Sequence, residues 1–127
     1  MTDDDVRAAA ERMYAAFNAQ DYAATTEIFT ADFYSHPLGT TGPDSVAQAW
    51  RRLHESFPDV HVVVEDMVVE GDTAAVRTSM RGIPGQASPT MLEMFRVRDG
   101  RIAELWGLSS LRRATPLAAS TSPAHGL

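Results

Sequence analysis

The sequence predicts an α+β fold in which a cone-shaped, curved antiparallel sheet wraps around helices and encloses a single pocket. Helix-like periodicity fills the first half of the chain, and segments rich in β-branched residues fill the second half. The 127 residues are enough for one domain with its own core. We expect this domain to span residues 1–113, followed by a disordered tail over residues 114–127 that is rich in Ala, Ser, Thr and Pro.

Three helices are predicted in the first half of the chain. The first should begin after Thr2, because a capping hydroxyl is followed there by three aspartates that suit the positive end of a helix dipole. A short second helix is predicted over residues 22–29, with Asp21 as its cap. The third should open at Pro43, since proline suits a first helical turn, and it should end at Pro58.

The second half of the chain is predicted to form a meander of antiparallel strands. The predicted strands cover residues 60–69, 73–81, 90–98 and 101–109. Asp99-Gly100 separates the last two, and this dipeptide is a strong signal for a tight hairpin. Residues 82–89 hold two glycines and two prolines, so they are expected to form a loop.

Composition excludes several classes of function. The net charge of −6 argues against nucleic-acid binding, because an acidic chain repels phosphate backbones. No segment approaches the ~20 apolar residues of a membrane span, and the acidic start does not resemble a signal peptide, so we expect a cytoplasmic protein with no membrane partner. The absence of cysteine excludes disulfides and thiolate nucleophiles. No metal-ligand or phosphate-loop motif occurs, so neither a metal nor a cofactor is expected.

Several segments of the sequence resemble one known group of proteins. They are MYAAFNAQD at residues 13–21, FYSHPLG at 33–39, FPD at 57–59, VEDMVVEGD at 64–72 and MFRVRDGRIAELW at 94–106. These segments are similar to those of nuclear-transport-factor-2-like proteins and, among them, of SnoaL-like polyketide cyclases and ketosteroid isomerases. The resemblance covers residues 4–111 and implies the cone-shaped fold with its pocket, whereas the reaction varies within this group.

The resemblance implies three catalytic residues. His36 occupies the position of the general-base aspartate of ketosteroid isomerases, which is also followed by proline. Glu93 occupies the position of their protonated oxyanion-hole aspartate, and Glu104 lies near an acidic residue that SnoaL-like cyclases use as acid or base. If His36 is the base, its replacement by Ala should lower turnover by roughly two to four powers of ten.

The resemblance also implies a largely apolar substrate-binding wall. Its expected members are Met13, Tyr14, Phe33, Trp50, Met80, Met91 and Trp106. The oxyanion-hole tyrosine of ketosteroid isomerases falls at Met13 in this chain, and Tyr14 is one residue further along, which is about 100° around a helix. We therefore expect Tyr14 to face away from that position and the isomerase oxyanion hole to be incomplete.

The residue pattern itself leaves two readings for each carboxylate. Met91, Glu93 and Phe95 share one strand face, which favours an inward Glu93 with a pKa raised by burial, while the alternative is an exposed position on an alternating strand. Glu104 either faces the pocket or pairs with Arg96 on the surface across the hairpin.

The four histidines differ in what the sequence indicates for them. His36 is either a pocket residue or a loop histidine with local hydrogen bonds, and its ordinary pKa of about 6.5 would suit proton transfer near neutral pH. His54, His61 and His125 are all expected at the surface.

The function implied is that of a SnoaL-like cyclase or isomerase that performs acid–base chemistry next to a carbonyl of a hydrophobic, polyketide-like metabolite and forms an enolate. A non-catalytic binding protein of the same fold is the alternative. An epoxide hydrolase would need an Asp-Arg-Asp set, for which Arg77 is the only strand arginine that might supply the middle member.

A homodimer is expected, because relatives pair through the outer sheet face and residues 60–69 hold more apolar side chains than one buried face requires.

Overall fold

The described residues of the computed structural model, 1–111, form three α-helices, one short 3₁₀ helix and six strands. The helical elements are α1 (Asp3–Asn18), the 3₁₀ helix (Tyr22–Ala24), α2 (Thr25–Ile28) and α3 (Pro43–Ser56). The strands are β1 (Phe29–Ser35), β2 (Thr40–Thr41), β3 (His61–Glu70), β4 (Thr73–Arg81), β5 (Thr90–Arg98) and β6 (Arg101–Ser109). The predicted domain end at residue 113 and the predicted tail at residues 114–127 lie outside the described residues.

Helix α1 begins where the sequence predicts, because Thr2 and Asp5 satisfy each other's backbone groups. The Thr2 hydroxyl accepts a hydrogen bond from the Asp5 N–H at 3.2 Å, and the Asp5 carboxylate accepts one from the Thr2 N–H at 2.8 Å. This reciprocal pair occupies two amide groups that the start of a helix leaves without partners. The predicted start of α3 at Pro43 is also confirmed.

The six strands form one sheet in the order β2-β1-β6-β5-β4-β3. Strands β3 to β6 form the predicted antiparallel meander, and the bounds predicted for β4, β5 and β6 are confirmed. The ladders shift register between Val64 and Asp66 on β3 and between Arg96 and Val97 on β5. Such irregularities bend a sheet and increase its twist, so they favour the curved shape.

Strand β1 and the region before it depart from the prediction. The expected helix over residues 22–29 is divided into the 3₁₀ helix and α2, and the chain is extended from Phe29 onward. The sequence predicted an antiparallel sheet. Strand β1 instead pairs in parallel with β6, so the sheet is mixed. Phe29 and Phe33 are completely buried, but the register shifts between Phe29 and Tyr34, so no simple alternation marks the strand in the sequence.

The core lies between the helices and one face of the sheet. Val6 and Phe17 on α1 and Trp50 on α3 are buried there. Gly82, just after β4, lets the chain pass close to the segment before β3. Its φ is +81°, and a Cβ at this position would lie 2.1 Å from the carbonyl oxygen of Asp59. Only glycine fits such a contact. None of the helices formed by residues 1–111 is long and apolar enough to cross a membrane.

The expectation that His54 lies at the surface is wrong. Its side chain is buried, with 5% exposure, and its ring lies 4.5 Å from that of Phe17. The Nδ1 atom is 2.9 Å from the Tyr22 hydroxyl, and Nε2 has no hydrogen-bond partner among residues 1–111. Burial lowers the pKa of His54 from its ordinary 6.5, although the carbonyl groups of Trp50 and Phe17 act in the opposite direction.

The pH dependence of stability tests this buried, neutral His54. Because its pKa is lowered in the folded chain, its contribution to the free energy of unfolding is present above pH 6.5 and is lost as the pH falls through the lowered pKa. The raised pKa of Glu93 acts in the opposite direction over part of this range. The free energy of unfolding should therefore fall between about pH 8 and about pH 5, and we expect it to fall less in His54→Gln than in the wild type. Urea unfolding at the two pH values measures this difference.

His61→Gln is the matched control for this experiment, because His61 is exposed. It should lose as much stability in acid as the wild type does. An equal acid sensitivity of all three proteins would contradict the role given to His54.

Candidate active site

A cavity of about 60 Å³ lies between the sheet and helices α1 and α3. Its deep wall is apolar and consists of buried side chains, among them Met13, Phe17, Phe29, Phe33, Trp50 and Met91. Its mouth is formed by three lining residues that keep some exposure, Pro37, Leu38 and Ala49. By the same measure one water molecule needs about 10–15 Å³, so the cavity has room for several.

Hydroxyl and carboxyl groups enter this apolar cavity from three residues: Tyr14 on α1, Ser35 on β1 and Glu93 on β5. Glu93 is 8% exposed and Tyr14 is 4% exposed, so both are removed from bulk water. The Tyr14 hydroxyl donates a hydrogen bond to Glu93 Oε1 at 2.7 Å. The two groups therefore form one buried polar pair within an otherwise apolar wall.

The environment brings the pKa of Glu93 close to neutral pH. Burial raises it from its ordinary 4.5 to about 7, while the hydrogen bond from Tyr14 favours the ionised form and limits the rise. Burial also raises the pKa of Tyr14, and the negative charge of Glu93 raises it further. At neutral pH Tyr14 is therefore a hydrogen-bond donor, and Glu93 is divided between its ionised and its protonated form.

Gly107 on β6 leaves room for the Glu93 carboxyl group. The two residues lie opposite each other in the antiparallel ladder. A Cβ at position 107 would lie 3.2 Å from Glu93 Cγ and 3.5 Å from Oε2. A larger residue there would press on the carboxyl group, so the absence of a side chain at Gly107 helps to position Glu93.

The structure brings six of the predicted site residues together around the cavity: Met13, Tyr14, Phe33, Trp50, Met91 and Glu93. The inward position that strand alternation predicted for Glu93 is confirmed by its burial. Sequence reasoning missed Ser35 and Gly107, which also line the cavity. A signal for Ser35 was present, because it lies two residues after Phe33 and so shares its strand face.

Tyr14 lines the cavity as predicted, although the resemblance places the tyrosine of the isomerases one residue earlier, at Met13. The Tyr14 ring packs edge-on against Phe95, with 6.0 Å between ring centroids, and its hydroxyl reaches Glu93. A shift of one residue on a helix can be offset by a rotation of the helix about its axis, which a sequence comparison does not report. Both Met13 and Tyr14 therefore line the cavity.

Three other predicted site residues, His36, Glu104 and Trp106, cluster away from the residues that line the cavity. His36 Nε2 lies 2.7 Å from Glu104 Oε2, and the His36 ring stacks on Trp106 at 4.7 Å with 12° between the planes. Arg96 completes the cluster, since its guanidinium lies over Trp106 and its Nη1 is 3.3 Å from Glu104 Oε1. This corrects the expected placement of all three, and their catalytic and binding roles stay predictions.

The alternation of β6 explains why these side chains lie on the outer face of the sheet. Leu105 and Gly107 line the cavity, so their neighbours Glu104 and Trp106 point to the opposite face. The surface partnership of Glu104 with Arg96 is the alternative that the residue pattern had left open, and the ladder places these two residues opposite each other.

The expected place of Met80 in the wall is corrected, and Arg77 lies outside the cavity as well. Met80 is completely buried in the core, but it is not among the residues that line the cavity. Arg77 Nη2 lies 2.6 Å from Asp66 Oδ2, with both side chains largely exposed, and no Asp or Arg of the described chain lines the cavity. The Asp-Arg-Asp set of an epoxide hydrolase is therefore not assembled there. No three His, Asp or Glu side chains within residues 1–111 cluster so that they could hold a metal ion.

The position of His36 changes the expected effect of its removal. His36 connects the mouth residues that follow it, Pro37 and Leu38, to β6 through its contacts with Glu104 and Trp106. A residue that holds the mouth in place acts on substrate binding, so we expect His36→Ala to raise KM several-fold and to lower kcat by less than about tenfold. Loss of a general acid or base would instead lower kcat by roughly two to four powers of ten.

Glu104→Gln should shift KM in the same direction, since it weakens the same contact. Steady-state kinetics of both variants check this expectation. A fall in kcat of more than a hundredfold with unchanged KM would return His36 to the catalytic role that the resemblance implies.

Comparison with known proteins places this chain in a family. Residues 10–105 match the family described as the SnoaL-like domain. The chain belongs to the SnoaL-like family. No curated protein matches this SnoaL-like chain.

Solved structures share the fold of this SnoaL-like protein. A proposed polyketide cyclase from Bacillus cereus is 25% identical in sequence and superposes with a TM-score of 0.77. The match covers 84% of this chain and 74% of the Bacillus chain. IdmH from Streptomyces antibioticus, also a proposed polyketide cyclase, is 29% identical with a TM-score of 0.72, covering 83% of this chain and 91% of its own. AclR from Streptomyces galilaeus, a proposed hydroxylase, is 22% identical with a TM-score of 0.72, covering 87% of this chain and 92% of its own, and shows the fold alone.

Proposed function

We propose that this SnoaL-like protein is an enzyme, a cyclase or isomerase, that moves a proton at the carbon next to a carbonyl of a hydrophobic, polyketide-like small molecule without a cofactor. The observation that carries the proposal is the buried pair of Tyr14 and Glu93 in an apolar cavity. Such a pair supplies both a proton acceptor and a hydrogen-bond donor where a substrate carbonyl can reach them.

Glu93 is the group to which we assign the proton transfer. It is the only carboxylate among the described residues that line the cavity, and its pKa of about 7 suits a base that works near neutral pH. Its Oε2 atom is not engaged by Tyr14, so that oxygen can take the proton from the substrate carbon. The C–H electron pair then becomes the enolate, and the proton now on Glu93 is available for return to the substrate.

Tyr14 is assigned to the developing charge on the substrate oxygen. Before proton transfer the negative charge is on Glu93, and the Tyr14 hydroxyl donates to it. After transfer Glu93 is neutral and the charge is on the enolate oxygen. The Tyr14 hydroxyl then forms a stronger hydrogen bond to the substrate oxygen than to Glu93. A hydrogen bond that strengthens as the charge moves lowers the barrier rather than only improving binding.

The cavity limits which part of the substrate is enclosed. Its volume of about 60 Å³ is well below the roughly 300 Å³ at which pockets for drug-sized ligands begin. We propose that the carbonyl end enters toward Glu93 and that the rest of a larger substrate extends through the mouth at Pro37 and Leu38. Met13 and Met91 line the enclosed part with flexible apolar side chains.

Exchange of a ketone's α-proton with solvent tests the proposed function. Hydrophobic ketones are incubated with the protein in heavy water, and loss of the α-proton signal is followed by NMR. We expect exchange faster than with the Glu93→Gln variant. Binding of the ketones without accelerated exchange would instead identify a non-catalytic binding protein of the same fold.

We further propose that the protein is a homodimer that pairs through the outer face of the sheet. Four large apolar side chains are exposed on that face, and Val68, Leu92, Met94 and Leu108 keep between 47% and 67% of their accessible surface. The four residues line one surface depression, and a contiguous exposed apolar patch often marks an interface. A second copy would cover it with the same apolar residues.

Leu92→Glu is expected to raise the dissociation constant of the dimer by at least roughly a hundredfold, because the change places a charge in an apolar contact. Sedimentation equilibrium at micromolar concentration measures it. Thr26→Glu adds the same charge at an exposed position of α2 and should leave the dimer unchanged. A monomeric wild type would remove the dimer proposal.

A further inference from the structure

Ser35 presents a hydrogen-bond donor to the cavity that the roles of Tyr14 and Glu93 do not use. It is 3% exposed, lies at the end of β1 and lines the cavity. Its Oγ atom accepts a hydrogen bond from the Leu38 N–H at 3.2 Å. No acceptor for the Ser35 hydroxyl proton occurs among residues 1–111, so this proton is available to a ligand.

The sheet register separates Ser35 from the Tyr14–Glu93 pair. On β6, Ser35 is level with Leu105, whereas Glu93 is level with Gly107. Two strand spacings and two residues along the strand put the Cα atoms of Ser35 and Glu93 about 12 Å apart on a flat sheet, and inward curvature brings the side chains closer. The Ser35 hydroxyl and the Tyr14–Glu93 pair therefore come from different parts of the cavity wall.

We infer that Ser35 binds a second oxygen of the substrate and selects substrates that carry one. The substrate class is then a small molecule with a carbonyl at Tyr14 and Glu93, an apolar body, and another hydrogen-bond-accepting oxygen several bonds away. This inference rests on the proposed function, because it takes the first oxygen to be the one whose enolate forms at Glu93. Ser35 acts here as a specificity-determining residue that touches the substrate without exchanging a proton with it.

A purely structural role for Ser35 makes a different prediction. The serine also stabilises the turn into the mouth, since its hydroxyl accepts from Leu38 and its carbonyl oxygen accepts from the Gly39 N–H at 2.8 Å. If the side chain did no more than hold this turn, its removal would weaken every ligand by the same factor. The useful readout is therefore a ratio of affinities for two matched ligands rather than the affinity for one.

The matched ligands are para-cresol and para-hydroxybenzyl alcohol. Each has a phenolic oxygen, which resembles an enol and suits the Tyr14–Glu93 pair, and only the alcohol has a second oxygen at the far end. Affinities of both are measured by NMR titration for the wild type, Ser35→Ala, Ser35→Thr and Glu93→Gln. The full chain is used throughout.

We expect the preference for the alcohol over the cresol to fall by roughly three- to tenfold in Ser35→Ala, which is the effect of one net hydrogen bond, and to be retained in Ser35→Thr. Equal weakening of both ligands by Ser35→Ala would overturn the inference and leave a turn residue. The Glu93→Gln variant should change the affinity for both ligands alike. If both bind without any dependence on Glu93, or if neither binds the wild type, the proposed function fails together with the inference.

Discussion

Glu93→Gln is expected to lower the rate of α-proton exchange by roughly two to four powers of ten, the usual range for loss of a general base. Glutamine is nearly the same shape and can still accept the hydrogen bond from Tyr14, so the cavity should remain intact. It cannot accept a proton from carbon. The exchange assay in heavy water measures the loss, and circular dichroism checks that the variant is folded.

The pH profile should identify the group responsible. Because Glu93 must be ionised to act as the base, the wild-type rate should rise with pH and level off above about 7, where its carboxyl group has lost its proton. The variant should lack this inflection. Carbon-detected NMR of the carboxyl groups measures the pKa of Glu93 directly.

Glu93→Ala separates the two roles that a carboxyl group could have here. If Glu93 is the base, the Gln and Ala variants should be similarly inactive. If it is instead a protonated donor, as the ketosteroid-isomerase resemblance implies, the Gln variant keeps a donor of similar shape and should retain much of the activity. An active Gln variant beside an inactive Ala variant would therefore reassign the proton transfer to another group.

Tyr14→Phe is expected to lower kcat by roughly two to three powers of ten, the usual cost of removing one donor to a developing oxyanion. The ring contact with Phe95 is kept, so the loss should come from the hydroxyl group. The same substitution should raise the pKa of Glu93 further, because the hydrogen bond from Tyr14 is what lowers it. Carboxyl NMR and steady-state kinetics provide the two measurements.

Tyr34→Phe is the matched control, since Tyr34 lies on β1 with its ring against His36 and does not line the cavity. It should leave both kcat and the pKa of Glu93 unchanged. An unaltered pKa of Glu93 in Tyr14→Phe would show that the two side chains do not share the hydrogen bond in solution.

Local patterns explain which parts of the fold could be predicted. Strands β4, β5 and β6 are antiparallel neighbours in sequence, so alternation and the Asp99-Gly100 turn are enough to place them. Strand β1 pairs in parallel with a strand some 70 residues later in the chain, from Phe29 to Ile102, and no local signal reports such a pairing. The same alternation that placed Glu93 inward could not place Glu104, because both faces of β6 carry large side chains.

The sequence by itself determined the α+β class, the antiparallel meander, and a carboxylate at position 93 on the apolar face, because each depends on the periodicity of neighbouring residues. Only the tertiary structure decided what that carboxylate meets. The packing of α1 on the sheet puts Tyr14 against Glu93, the parallel pairing of β1 brings Ser35 to the cavity, and β6 presents the Glu104 side chain that meets His36 on the outer face of the sheet. These outcomes depend on the packing of elements distant in sequence, which periodicity does not encode.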